Sequence, residues 1–352
     1  MYIEKISLQN FRNYEDSSFE FSPEGSLIIG QNGVGKTNLL EAISYFTYGK
    51  SILNRLDLQL IHHGKENFFI RSNFAFQKSK YEFKAYYNNQ KKKLLHIDGK
   101  ALQKISDLYR HIQVVYSGPD DIFNIFSVPI KRRFFVDMAI SKIYPAYMDS
   151  LRRFKEALLQ RNTLLKKDFT KKEKEAWDKT FCEESKNVVE YRIKFFEQYR
   201  KFFKKAYSLI VETEEEVEVY LKMNFYDKDF VEKMMNLLRE NSLKEKKYQT
   251  SLFGPHLDDF YITIKQKNAF QYGSQGQKRS IVLALKLAIS DMIMEINKIC
   301  PIMIFDDTLA ELDKRRSENL LINLIGKHQI FIASPTVDRY QETNLPAMNL
   351  SE

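Results

Sequence analysis

A single eight-residue stretch limits the possible folds of this 352-residue chain more than any other feature. Residues 30–37 read GQNGVGKT and match the pattern GxxxxGK followed by Ser or Thr. An apolar run at residues 26–29 precedes the stretch, and apolar residues at helical spacing follow it at 38–43, which predicts a strand, a turn and a helix. Glycines let the backbone wrap around phosphates, and a helix N-terminus favours an anion. The stretch therefore predicts a P-loop.

Individual roles within this P-loop follow from its chemistry. Lys36 is expected to reach the β- and γ-phosphates of ATP, and Thr37 is expected to ligate Mg²⁺. An ordinary glycine turn is the alternative, but the motif and its flanking elements together favour nucleotide binding. The residues predicted to bind the nucleotide here are Gly30, Gln31, Asn32, Gly33, Val34, Gly35, Lys36, Thr37 and Asn38.

An apolar run that ends in two acids, residues 302–307 (IMIFDD), predicts the second half of the site. Such a strand places a carboxylate beside a P-loop, where Asp306 is expected to hold Mg²⁺. Asp307 is expected to orient the attacking water, and because its side chain is shorter than that of glutamate we predict slow hydrolysis. Acids at a strand end are also common as helix caps. The pattern therefore depends on the P-loop for its meaning.

Residues 272–280 (YGSQGQKRS) begin a predicted helix about thirty residues before the acidic strand end. Ser274, Gly276 and Gln277 resemble the signature sequence of ABC ATPases. In that architecture, the serine and the helix N-terminus of one subunit face the γ-phosphate bound by its partner. A capped helix start is the simpler alternative, because serine is a favoured N-cap.

Other ABC elements are less clear. Residues 309–313 (LAELD) match the D-loop, which crosses between subunits of such dimers. Gln113 is a candidate for the Q-loop, and a plain strand residue is the favoured alternative. The histidine usual on the last strand is not evident after residues 330–333.

The spacing of the motifs predicts the domain organisation. About 270 residues separate Lys36 from Asp306, which requires a large insertion. Glycine is absent from about residue 145 to 247, where apolar residues recur at intervals of three and four, and this indicates amphipathic helices. We therefore predict an α/β fold, an ABC-type P-loop ATPase head with an inserted α-helical lobe. The predicted parts are an N-terminal ATPase part at 1–140, the helical lobe at 141–250 and a C-terminal ATPase part at 251–352.

Composition narrows the class of protein without identifying it. The net charge of +9 favours polyanionic partners such as DNA, although 46 acids accompany 55 bases. Cys182 and Cys300 are far apart in sequence, which argues against a disulfide framework or a zinc site. No apolar run approaches the roughly 20 residues that cross a bilayer. A soluble, cytoplasmic protein with no membrane partner is expected.

Taken together, five segments resemble the RecF family of ABC/SMC-like ATPases, in the order of that family and over nearly the whole length. They are LQNFRNYE at 8–15, GQNGVGKTNLLEAISYF at 30–46, GPHLDDF at 254–260, YGSQGQKRS at 272–280 and FDDTLAELDKRR at 305–316. There are also departures. An arginine is usual in the family where Leu257 stands, a glycine is usual at Ser127, and Gly118 is inserted. These changes place only the surrounding loop and its contacts in question.

The resemblance implies an ATP-dependent DNA-binding protein of recombinational repair, linked to DNA replication and the SOS response. Its members form a head-to-tail homodimer around ATP, bind duplex DNA near single-strand gaps, and act with RecR and RecO to load recombinase. Weak hydrolysis would then release the dimer. The resemblance also suggests that Arg12 approaches the nucleotide, with a salt bridge as the alternative. A solvated helix or loop face is the favoured alternative for each candidate DNA contact, and the candidates are Lys131, Arg132 and Arg133, or the pairs Lys166 and Lys167, and Lys171 and Lys172.

Two other classes of function are compatible with the ABC motifs alone. One is the nucleotide-binding subunit of a membrane transporter, which would carry a smaller helical subdomain and need a membrane partner. The other is an SMC-like or defence ATPase with an attached nuclease, for which the sequence shows no clustered metal ligands. DNA binding that weakens steeply with salt would exclude the transporter.

Overall fold

The computed structural model describes residues 1–53, 55–76, 79–211, 215–337, 340 and 343–351. The chain divides into two compact units. Unit 1 comprises Met1–Ile122, Lys205–Glu214 and Gln275–Glu352, and unit 2 comprises Phe123–Lys204 and Glu215–Ser274. The domain limits at 140 and 250 stay a prediction.

Fourteen strands are assigned within the described residues. In chain order they are β1 Tyr2–Phe11, β2 Tyr14–Glu20, β3 Gly25–Ile29, β4 Asn67–Phe76, β5 Ser79–Asn88, β6 Lys93–Ile97, β7 Lys100–Ala101, β8 Val114–Ser117, β9 Val217–Lys222, β10 Asp259–Ile264, β11 Lys267–Asn268, β12 Ile302–Asp306, β13 Ile330–Ser334 and β14 Ala347–Asn349.

The α-helices are α1 Lys36–Tyr48, α2 Asp121–Phe126, α3 Pro129–Ile143, α4 Ala146–Leu165, α5 Lys171–Ile210, α6 Phe230–Glu240, α7 Ser242–Tyr248, α8 Ala269–Tyr272, α9 Gln275–Met292 and α10 Lys314–Leu324. Short 3-10 helices occur at Asp57–Leu60, Ile105–Arg110, Pro255–Leu257 and Thr308–Glu311, and a π-helical turn at Ile293–Asn297. Among the described residues, no helix is both long and apolar enough to cross a membrane.

Unit 1 contains two sheets that share one apolar core with α1. The first is antiparallel, in the order β2-β1-β4-β5-β6-β7, and the second is parallel, in the order β14-β3-β13-β12-β8. Every residue of β3, β12 and β13 is buried, as expected for parallel strands covered on both faces. Because the strands are parallel, the P-loop after β3 and the acids after β12 lie at the same edge.

Unit 2 consists of helices and a small antiparallel sheet in the order β11-β10-β9. The α5 helix places aromatic residues on its buried face, among them Phe195, Tyr199 and Phe203, with the three- and four-residue spacing read from the sequence. The segment at 145–247, read from the sequence as amphipathic helices, also contains the strand β9. There Val217 and Val219 alternate with more exposed residues and pair with β10, which is strand periodicity.

Candidate nucleotide-binding site

Two glycines set the backbone path of the P-loop. Gly33 has φ 91° and Gly35 has φ 115°, conformations that side-chain-bearing residues rarely adopt. At Gly35 there is also no room, since a Cβ atom would lie 2.5 Å from Nδ2 of Asn13. A side chain at either position would therefore deform the loop that links β3 to α1.

Lys36 is the first residue of α1 and is almost completely buried. Its ammonium donates hydrogen bonds to the backbone oxygens of Gly30 (2.7 Å) and Gln31 (3.1 Å). The first turn of α1 contains no acidic residue. The ammonium and the positive end of the helix dipole therefore lie together in a turn that has no acidic residue of its own, an arrangement that favours a bound anion.

Asp306, at the end of β12, connects the two halves of the motif set. Its Oδ1 accepts a hydrogen bond from Thr37 Oγ1 (3.1 Å), and its Oδ2 accepts one from the Tyr116 hydroxyl (2.8 Å). Burial raises the pKa of the Asp306 carboxyl, while the two hydroxyl donors lower it in part. Burial and the neighbouring carboxylate also raise the pKa of Tyr116, so its hydroxyl stays protonated and acts as the donor. Residues 269 positions apart thus form one polar cluster.

Asp307 differs from Asp306 in its surroundings. Its φ of 55° lies in the left-handed region, which aspartate tolerates better than most residues. Within the described residues, its buried Oδ1 has no hydrogen-bond partner. A buried, unpaired carboxylate oxygen is costly, so Asp307 is ready to bind a water or an ion at this edge of the sheet.

The signature segment is accessible to other molecules. Ser274, Gln275 and Gly276 are exposed, and α9 begins at Gln275. A Cβ atom at Gly276 would meet nothing closer than Nη1 of Arg316, at 3.8 Å. Gln277 is half-buried. The segment therefore presents a small, open surface at a helix start.

Sequence reasoning missed the contribution of the β1–β2 turn to the P-loop. Asn13 donates a hydrogen bond to the backbone oxygen of Val34 (3.0 Å), and Tyr14 donates one to that of Gly35 (3.1 Å). Burial raises the pKa of Tyr14. The available signal was the segment at 8–15, which contains both residues but does not reveal their target. Tyr116 was also missed.

Arg12 and Asn38 belong to the same turn-to-helix contact. Arg12 Nε donates to Asn38 Oδ1 (3.3 Å) and lies 3.7 Å from the buried Glu41 carboxylate, while its Nη1 donates to the Gln59 backbone oxygen (2.8 Å). The Asn38 amide donates to Asn13 Oδ1 (2.8 Å). Burial lowers the pKa of Arg12. Arg12 is thus bound by side chains and backbone of its own unit, which is the salt-bridge alternative.

Gln113 and Gly118 flank β8 at opposite ends. The Gln113 side chain is buried and donates to the Tyr109 backbone oxygen (2.6 Å), at the strand end away from Asp306. This supports its interpretation as a plain strand residue. Gly118, read from the sequence as an insertion, lies against the ring of Tyr116, where a Cβ atom would come within 2.5 Å. Glycine is therefore required there for the tyrosine that donates to Asp306.

The oxygen ligands at this edge fit Mg²⁺ bound with a nucleotide. The described residues contain no cluster of three or more His, Cys, Asp or Glu side chains that would hold a metal alone. Thr37 and Asp306 supply a hydroxyl and a carboxylate 3.1 Å apart beside the P-loop, and hard cations such as Mg²⁺ prefer these ligands together with phosphate oxygens. The site thus suits a metal delivered with a phosphate ligand.

Comparison with known sequences identifies close relatives over almost the whole chain. The model of the family described as "RecF/RecN/SMC N terminal domain" matches residues 2–345. A protein of Clostridium acetobutylicum named "DNA replication and repair protein RecF" is 34% identical over 331 residues, 93% of this chain and 91% of the relative. Its namesake in Clostridium perfringens is 32% identical, over 92% and 90% of the two chains.

Comparison with solved structures agrees. The structure described as "the recombination mediator protein RecF-ATPrS in RecFOR pathway" superposes with a TM-score of 0.88, at 28% identity, covering 96% of this chain and 93% of that one. An Smc head bound to the C-terminal winged-helix domain of ScpA has a TM-score of 0.60 at 16% identity, covering 100% and 94%, a similarity of fold alone. The predicted ABC-type α/β head is thereby confirmed.

Proposed function

The chain belongs to the RecF family of DNA replication and repair proteins, and on this premise we propose that it is an ATP-controlled DNA clamp of recombinational repair. ATP binding drives two copies together on duplex DNA near single-strand gaps, and slow hydrolysis releases them. The family assignment favours this function over the transporter subunit and the defence ATPase. The similarity to a RecF structure described with ATP supports ATP as the nucleotide.

The P-loop residues Gly30 to Asn38 bind the phosphates. Lys36 transfers its ammonium hydrogen bonds from the loop carbonyls to β- and γ-phosphate oxygens. The Thr37 hydroxyl and the Asp306 carboxylate hold Mg²⁺, which when bound neutralises phosphate charge and polarises the γ-phosphoryl group. Tyr116 keeps Asp306 oriented by donating to its second oxygen. These roles are supported by the Thr37–Asp306 contact beside the buried Lys36.

Asp307 orients the attacking water and accepts a hydrogen bond from it through the unpaired Oδ1. Its shorter reach, compared with glutamate, makes this orientation less favourable and hydrolysis slow. ATP therefore acts chiefly as a switch for assembly. A slow rate lets the clamp remain closed on DNA long enough for partner proteins to engage it.

A second copy completes the site through Ser274, Gly276 and Gln277. The exposure of Ser274 and Gly276 supports this role, because a hydroxyl and a helix N-terminus can then reach a γ-phosphate held elsewhere. ATP contacts surfaces of both copies only in the dimer. Nucleotide binding therefore shifts the equilibrium towards the dimer by its differential affinity.

DNA binding on this proposal uses the exposed lysines of the helical lobe. Arg132 and Arg133 are engaged within unit 2, through Asp259 and the Asp258 backbone oxygen, which disfavours them as DNA contacts. Duplex and gapped DNA are the proposed ligands, and proteins of the RecR and RecO type the proposed partners. Four exposed lysines are available for phosphate contacts: Lys166, Lys167, Lys171 and Lys172.

The observation that carries the proposal is the polar cluster of Thr37, Asp306 and Tyr116 beside the buried Lys36. Light scattering with and without Mg²⁺-ATP, repeated with a gapped duplex, tests it. We expect the mass to rise from 41.8 kDa towards twice that value, with tighter DNA binding. The Lys36→Ala protein should respond in neither assay. Unchanged mass and DNA affinity of the wild-type protein would refute the clamp.

A further inference from the structure

Two segments of unit 2 meet outside the nucleotide-binding residues. Arg132 belongs to the arginine pair on α3, and Asp259 belongs to the segment at 254–260. The Arg132 guanidinium donates two hydrogen bonds of 2.7 Å to the Asp259 carboxylate, from Nε to Oδ1 and from Nη2 to Oδ2. Only 6% of Arg132 is exposed. The pair is therefore bidentate and largely desolvated, which fixes its geometry.

The rest of the Arg132 guanidinium joins two further elements. Its Nη1 donates to the Ser127 backbone oxygen just after α2 (3.0 Å). Its carbon lies 4.8 Å from the centre of the Phe270 ring on α8, within the range of a cation–π contact. Phe126 packs edge-on against the same ring at 5.2 Å. Arg132 thus links the end of α2, the start of β10 and α8.

The chain from Phe270 to the signature serine is short and closed by hydrogen bonds. The Asn268 side chain accepts from the Phe270 backbone N–H (2.9 Å), and the Gly273 N–H donates to the Ala269 oxygen (3.1 Å). A Cβ atom at Gly273 would come within 2.6 Å of that same oxygen. Because this turn is tight, the position of the Phe270 ring limits where Ser274 can lie.

We infer that Arg132 is a positioning residue for the signature segment. By holding Asp259 and Phe270 at the two ends of the path that leads to Ser274, it keeps that serine in the conformation from which it meets the nucleotide of a second copy. This inference rests on the proposed function. Without these contacts of Arg132, Ser274 would sample more conformations. Dimer formation would then include the free-energy cost of ordering Ser274.

Arg132→Lys tests this positioning role. Lysine keeps the positive charge but has no planar guanidinium to form the bidentate pair or to stack on a ring. We expect ATP binding by the dilute monomer to be unchanged. The protein concentration needed for ATP-dependent dimerisation should rise about tenfold, the scale of one charge-assisted hydrogen bond. Without ATP, amide exchange at residues 269–274 should accelerate by a similar factor. ATP-dependent DNA binding that Arg132→Lys loses at a fixed protein concentration should return as the protein concentration is raised.

Phe270→Leu supplies a second variant that leaves the ion pair in place, and a smaller shift in the same direction is expected. Arg153→Lys is the matched control, since Arg153 binds Glu184 on the exposed surface of the same unit, and no change is expected. Folded variants that dimerise and exchange like the wild type would overturn the inference alone. A wild-type protein that never dimerises with ATP would refute the proposed function. Even then, unchanged amide exchange at residues 269–274 in Arg132→Lys would refute the positioning role of Arg132.

Discussion

Buried charges are treated differently in the two units. In unit 2 the arginines are paired on several sides, as Arg161 is with Asp178 (2.8 Å) and with Glu245. At the sheet edge of unit 1, Lys36 donates to two backbone carbonyls, and Asp307 Oδ1 has no hydrogen-bond partner among the described residues. A buried ion without a partner costs several kcal/mol. Full pairing therefore suits a structural role, and incomplete pairing suits a site that a charged ligand completes.

The largest expected loss of stability comes from breaking the fully paired ion cluster of Arg161, Asp178 and Glu245. Arg161→Met leaves Asp178 and Glu245 buried without their shared partner, and we expect a loss of about 3–5 kcal/mol in the free energy of unfolding of unit 2. Trp177, the only tryptophan, lies next to Asp178 in sequence and reports this unfolding in a urea titration. Arg152→Met is the control, because its pair with Glu156 is exposed and contributes about 0.3–0.5 kcal/mol. Equal losses would remove the distinction between buried and exposed pairs.

At Asp306 we expect a smaller change in the free energy of unfolding, and here the substitution stabilises the protein as the pH rises. Burial raises the pKa of its carboxyl, so folding favours the protonated form. The stability contributed by this group is fully present below the ordinary aspartate pKa and is lost as the pH rises through the raised value. Asp306→Asn does not titrate. Without nucleotide, its free energy of unfolding relative to wild type should therefore increase from pH 4 to pH 7.

Addition of Mg²⁺-ATP should reverse the gain in relative stability that Asp306→Asn shows at pH 7. The wild-type carboxylate then gains a cation, whereas the amide binds it weakly. Thermal unfolding at several pH values, with and without Mg²⁺-ATP, measures both effects. A relative stability of the variant that did not increase from pH 4 to pH 7 without nucleotide would show that Asp306 is already fully satisfied by Thr37 and Tyr116.

The nucleotide site was largely predictable because its signals are local. The glycines, Lys36 and Thr37 occupy fixed positions in one loop. The apolar run at 302–307 predicts a buried strand with acids at its end. Parallel strands then bring both to one edge of the sheet. The relation between Lys36 and Asp306 thus needed only the motif and the rule for parallel sheets.

The supporting contacts were not predictable because they depend on long-range packing. Tyr116 and Asp306 are 190 residues apart, and nothing in the sequence of β8 distinguishes the tyrosine from a core residue. Arg132 was read as a possible DNA contact because a sequence shows charge but not its partner 127 residues away. The strand β9 was hidden by helices on both sides that gave the region a helical periodicity.

Hydrogen–deuterium exchange with and without Mg²⁺-ATP measures the difference between the two regions most directly. We predict that the ligand slows exchange in α1 and the P-loop, where charges are incompletely paired. Residues 171–192 of α5, with their buried charges already paired, should exchange at the same rate in both states. If α1 gained no protection, or if residues 171–192 gained as much, the edge of the parallel sheet would not be the site that ATP completes.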